Sequence, residues 1–81
     1  MMLRVMARKG QVLNTNRIDG LKLKIIRISL GLKQQEVAYL AGMTNSRLCG
    51  IELERFRPTD EQLNEICRIL RVQPKEIMRA A

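Results

Sequence analysis

At 81 residues the chain makes one domain with a small core, and Leu, Ile, Val, Met and Ala supply nearly all of its 46% hydrophobic fraction, so packing must be aliphatic. A formal charge of +7 and a pI near 10.3 favour a polyanionic partner such as nucleic acid. With no His and only Cys49 and Cys67, neither a disulfide scaffold nor a four-ligand zinc site can be assembled within one chain, and apolar runs broken by charge exclude a membrane span or a secretory signal.

Residues 1–15 show no helical period. Leu3, Val5 and Ala7 alternate with Arg4, Met6 and Arg8, which reads as an N-terminal arm or strand, expected to be the least ordered part. Residues 16–81 form the domain. Asn16 is placed to cap a first helix whose apolar positions Ile18, Leu21, Ile25 and Ile28 face the core, and Gly31 ends it. Residues 34–41 and 45–52 make two short amphipathic helices, with Val37, Ala38 and Ala41 on one and Leu48 and Ile51 on the other. Gly42, Met43 and Thr44 connect them: Gly can take the left-handed conformation that stops one helix, and Thr can cap the next.

Arg55, Phe56, Arg57 and Pro58 read as a loop, because proline disfavours helix at the residue before it. Thr59 to Gln62 is a capping box with acids in the first turn, followed by the stripe Leu63, Ile66, Cys67 and Leu70. Gln73 to Met78, with Pro74 at the first position, predicts a short fifth helix. Charge is uneven along this order: residues 1–32 carry an excess of +6, residues 33–57 of +1 and residues 58–81 of zero. Cys67 belongs to the core, Cys49 is expected to be an inert thiol, and Met6, Met43 and Met78 are packing groups.

Arg27, Gly31, Leu32, Gln34, Glu36, Val37, Ala38, Gly42, the Leu48/Ile51 pair, Glu52, Pro58 and the run Leu70, Arg71, Val72 occur in an order that resembles the Cro/repressor-type (XRE-like) helix-turn-helix family, over residues 17–78. The resemblance implies an all-α, compact five-helix lambda-repressor-like domain with the helix-turn-helix at helices 2 and 3. It also implies that Asn45, Ser46 and Gly50 contact base edges, and that Gln34, Thr44, Arg47, Arg55 and Arg57 contact the DNA backbone. Arg27 and Glu52 match a structural ion pair of the family. Three positions depart from its pattern. Lys33 replaces the usual Ser or Thr cap, Leu53, Glu54 and Arg55 stand where a Gly is usual, and Gly50 weakens its helix by about 1 kcal/mol relative to Ala. Helix 3 is therefore expected to run on or to cap differently, and Gly50 to permit close approach.

Without a His, a Gly-rich phosphate loop or a spaced carboxylate pair, no catalytic constellation can be assembled, and neither cofactor nor metal is expected. The expected function is sequence-specific double-stranded DNA binding by a cytoplasmic transcriptional regulator, a repressor by default, acting as a homodimer. Arg4, Arg8 and Lys9 are candidates for an arm that reaches phosphate or the minor groove, or this segment pairs with its copy in a dimer. The alternative is an antitoxin-like protein-interaction module that grips a protein partner with the same fold and binds DNA only secondarily.

Overall fold

In the computed structural model, which describes residues 18–79, α1 spans Gly20–Ser29, α2 Gln34–Leu40, α3 Asn45–Glu52 and α4 Asp60–Leu70, and a 3-10 turn, Pro74–Ile77, follows. The arm or strand expected over residues 1–15 lies outside the described residues, and the cap expected of Asn16 is made instead by Asp19, next to the helix start. No helix among them is long and apolar enough to cross a membrane.

Each helix has an identifiable start. Asp19 accepts the amide of Lys22 at 3.1 Å and Thr44 that of Arg47 at 3.0 Å. Thr59 accepts from Gln62 N while Gln62 Oε1 accepts from Thr59 N, both at 3.1 Å, which completes the expected capping box. Lys33 offers no acceptor, so α2 keeps only the return half: Glu36 Oε1 takes the Lys33 amide at 2.8 Å.

The four C-termini share one hydrogen-bond pattern. An amide just past each helix returns to the carbonyl five residues before it, Leu32 to Arg27, Met43 to Ala38, Arg55 to Gly50 and Val72 to Cys67, and the residue preceding that amide is left-handed. Gly31 and Gly42 take that position with φ 74°, as the sequence requires, whereas Glu54 and Arg71 hold it at φ 62° and 59°. A non-glycine residue there costs roughly 1–2 kcal/mol. Helix α3 therefore stops after Glu52 with the same closure as α1 and α2, built without a glycine. Glu54 is held by its own side chain, whose Oε2 accepts the Gly20 amide at 3.0 Å and an Arg79 guanidinium N–H.

The core consists of Leu23, Val37, Leu48, Ile51, Ile66, Leu70 and Ile77, all essentially without exposure, with Ile18, Ala38 and Cys67 beside them. Each of the large aliphatic groups contributes about 1.5–3 kcal/mol through its removal from water. Residues from every element meet there, so no helix pair could bury its stripe without the others.

Two expectations are corrected. Helix α1 starts at Gly20, and its inward face is Gly20, Leu23 and Arg27 with Ile26 packed beside them, not the predicted stripe: Leu21, Ile25 and Ile28 are 63%, 56% and 55% exposed, and Ile18 is buried ahead of the helix, in an antiparallel bridge with Met78. Both faces of α1 are apolar, and the one carrying Arg27 wins because a buried acceptor awaits it. The fifth element is a single 3-10 turn, since Pro74 and the bridge at Met78 leave room for only four residues. The class remains all-α, with four α-helices among the described residues.

Gly20 marks the tightest crossing in the fold. A Cβ on it would lie 2.0 Å from the carbonyl oxygen of Glu52, backbone that cannot rotate away. Gly20→Ala is therefore expected to destabilise the fold by about 1–3 kcal/mol, read as a lower urea midpoint with an unchanged slope; a wild-type midpoint would contradict this crossing.

Candidate nucleic-acid interface

Helices α2 and α3 are joined by a short turn in which Gly42 is left-handed, Met43 packs against the core and Thr44 caps α3. Val37 and Ala38 of α2 and Leu48 and Ile51 of α3 are the buried contacts that fix the angle between them. Since 100° separates successive residues, burying Leu48 and Ile51 turns Ser46 outward, whereas Asn45, near Glu52 around the helix, is exposed because it opens the first turn; Cys49 is partly exposed between the two. Thr44, Asn45 and Ser46 are all exposed, so the start of α3 presents an amide and two hydroxyls on a convex rod.

The rod is anchored by a carboxylate. Glu52 Oε2 accepts from Arg27 Nε at 2.7 Å, and Oε1 accepts from Arg27 Nη2 at 3.2 Å and from Gln34 Nε2 at 3.0 Å. Arg27 Nη1 donates to the Leu32 carbonyl at 2.9 Å. Both charged residues are only 7% exposed. The network joins α1, the α1–α2 turn, the first residue of α2 and the last residue of α3, as the ion pair read from sequence requires. It also engages Gln34: the side-chain N–H that the sequence assigned to a phosphate is directed at Glu52.

The predicted base- and backbone-contacting residues divide into two groups. Asn45, Ser46, Thr44, Arg55 and Arg57 lie on exposed surface around the start of α3 and the loop after it. Gly50 and Arg47 do not stand as expected. Gly50 is buried on the flank of α3 beneath Phe56, whose Cδ2 would be 2.2 Å from a Cβ there, so it offers nothing to a base edge. The close neighbour at Gly50 in this structure is the phenyl ring. Arg47 is half-buried: Nη2 donates to the Arg57 carbonyl at 2.8 Å and to Gln62 Oε1 at 3.2 Å, its guanidinium carbon lies 5.1 Å from the Phe56 ring centre, and Nε is buried with no acceptor. A side chain expected to reach phosphate is folded back onto the protein.

Phe56, Gln62 and Glu54 are structural supports of this surface that the sequence reading passed over. A signal for the first was present: a glycine in the middle of a helix with no turn to make often marks a close neighbour, and a lone aromatic six residues on was available to be it. Nothing local distinguishes Gln62 or Glu54 from ordinary capping and surface residues.

The two thiols differ. Cys49 is partly exposed on the outward side, whereas Cys67 is buried in the core. Burial, followed by the nearby Glu76 carboxylate, pushes the Cys67 thiol up from its ordinary value.

A family model described as Helix-turn-helix matches residues 23–77, two thirds of the chain. Among solved structures, the restriction-modification controller protein C.AhdI from Aeromonas hydrophila is 26% identical, with a TM-score of 0.67 over 70% of this chain and 86% of that one. The clp gene regulator ClgR from Corynebacterium glutamicum is 23% identical, with a TM-score of 0.67 over 70% of this chain and 61% of that one, so this chain spans less than two thirds of the regulator's length. The P22 c2 repressor protein, solved in complex with synthetic operator 9T, is 20% identical, with a TM-score of 0.68 over 73% of this chain and 89% of that one. No curated protein sequence matches the chain significantly.

Glu52→Ala should destabilise the fold by about 3–5 kcal/mol, because it leaves Arg27 charged and buried without its partner. Replacing both, as Arg27→Met with Glu52→Leu, should cost far less; equal losses in urea melts would show that the pair is not a unit. For Cys67 the raised folded value means that stability is complete below the unfolded thiol's titration, near pH 8.5, and declines as pH rises through that point towards the folded value. The decline above about pH 8.5 should be shallower in Cys67→Val than in wild type when urea midpoints are compared from pH 7 to 10.

Proposed function

The chain belongs to the XRE-type helix-turn-helix family, and on that premise we propose that it is a sequence-specific reader of double-stranded DNA, a repressor that acts as a homodimer by covering its operator. That it is a DNA-binding transcriptional regulator and not an enzyme follows from the family. The observation that supports the finer reading is the orientation of α3: Leu48 and Ile51 are fully buried behind it, Ser46 stands opposite them, and Asn45 is exposed at its first turn. A helix so presented fits a major groove about 12 Å wide.

Asn45 carries an amide whose paired donor and acceptor match the N6/N7 edge of adenine, and the Ser46 hydroxyl can donate to or accept from either purine. Thr44, Arg55 and Arg57 are assigned to the flanking phosphates, positioning the helix without reading sequence. Gln34 joins them through α2: with its side-chain N–H directed at Glu52, its contribution to phosphate comes from the amide end of that helix, where the dipole favours an anion. One such domain covers only a few base pairs. Two copies on a two-fold symmetric site would place their α3 helices about one helical turn, roughly 10 base pairs, apart.

A second reading, an antitoxin-like module that grips a protein partner, is favoured by one observation. The apolar stripe Leu21, Ile25 and Ile28 faces away from the core on α1. Binding to random duplex at low ionic strength separates the two readings, since an interaction module that has lost DNA binding shows none.

The direct test is selection of bound sequences from a random duplex pool, which should return a symmetric site with half-sites about 10 base pairs apart. Asn45→Ala with Ser46→Ala should then reduce discrimination against mismatched sites by about 1–3 kcal/mol per contacted base pair, while affinity for random duplex stays near that of the wild type. A uniform loss across all sequences would mean that these side chains do not read bases.

A further inference from the structure

Arg47 and Phe56 are both adjacent to the proposed DNA surface and neither is aimed at it. We infer that they form a clamp that holds the loop carrying Arg55 and Arg57 at a fixed offset from α3, and so act as positioning residues for the phosphate grip; this rests on the DNA-binding reading above.

Three observations converge on the loop. First, the missing side chain at Gly50 leaves a notch on α3 into which Phe56 fits, since a Cβ there would lie 2.2 and 2.3 Å from its Cδ2 and Cε2 atoms. Second, the backbone is tied at the same place: the Gly50 carbonyl accepts Arg55 N at 2.7 Å and Phe56 N at 3.4 Å. Third, the Arg47 guanidinium lies over the Phe56 ring, 5.1 Å from its centre, and Nη2 is shared between the Arg57 carbonyl and Gln62 Oε1. Gln62 Oε1 also takes the Thr59 amide, so the clamp reaches the start of α4 as well.

The arrangement has a physical purpose. Arg55 and Arg57 lie in a seven-residue connection that has no helix or strand of its own. Without the ring in its notch and the fork across it, those residues would have to be ordered at the moment of binding, at an entropic cost subtracted from affinity. A planar cation suits this role because it can stack on the ring while its fork donates in plane, whereas an ammonium cannot do both. Arg47 Nε is withdrawn from water without an acceptor, a cost that the ring contact and the Nη2 hydrogen bonds offset.

The test is a double-mutant cycle on binding to random duplex across a salt series. Arg47→Lys keeps the charge and loses the fork, and Phe56→Leu removes no charge at all. In the otherwise wild-type chain each should weaken binding about tenfold and flatten the salt slope, which falls by about 0.9 for each phosphate that is no longer neutralised. In an Arg55→Gln, Arg57→Gln background each should change affinity less than twofold. Equal losses in both backgrounds, or wild-type affinity in Arg47→Lys, would overturn the clamp and leave the DNA-binding reading intact. An unchanged slope in the Arg55→Gln, Arg57→Gln protein itself would do the same. Failure of the wild-type protein to bind duplex at low salt would remove both. Circular dichroism confirms folding, and should Phe56→Leu fail to fold, Arg47→Lys leaves ring and notch in place and carries the test.

Discussion

The carboxylate of Glu52 is the point through which the helix-turn-helix is joined to the rest of the molecule. Two guanidinium N–H groups of Arg27 and the amide of Gln34 converge on its two oxygens in a region from which water is nearly excluded. A buried ion pair gains little net stability over apolar residues of the same size, because both charges must be desolvated. What it does give is geometry: a planar fork against a planar carboxylate has few acceptable arrangements, so the phase of α1, the entry of α2 and the exit of α3 are set together.

That constraint explains the face α1 buries. Apolar side chains on both sides of the helix leave hydrophobicity nearly indifferent to its rotation. Arg27 is not indifferent, since a guanidinium placed inward must find its acceptors or remain a buried unpaired charge. Leu23 and Gly20 follow Arg27 inward, and Gly20 can do so because it lacks the Cβ that would meet the Glu52 carbonyl. The anchor at Glu52 and the crossing at Gly20 thus lie at the same end of α3. Glu54 adds to them, accepting the left-handed strain of closing α3 while its carboxylate ties the α1 amide and the chain at Arg79.

Around this anchored end, basic residues separate by task. Arg27 is consumed in the interior and Arg47 in bracing the loop over Phe56, while Arg55 and Arg57 lie on exposed surface. The net charge of +7 is therefore a poor measure of how many cations can meet a polyanion. Two of the chain's arginines are thus engaged within the protein, Arg27 buried and Arg47 half-buried.

Sequence alone determined the features that rest on local chemistry. Helix starts at Thr44 and Thr59, stops at Gly31 and Gly42, the buried pair Leu48 and Ile51, the Arg27 to Glu52 link and the outward placement of Asn45 and Ser46 all follow from capping, left-handed turns, helical periodicity and the family resemblance. Tertiary structure decided what local chemistry leaves degenerate. It chose between two apolar faces of α1, closed α3 and α4 on Glu54 and Arg71 without glycine, seated Phe56 against Gly50, and turned Arg47 and the Gln34 amide inward. The physical reason is the same for most of these: a long side chain or an ambiguous stripe has several local minima of similar energy, and the partner that selects among them lies 6 to 34 residues away in sequence.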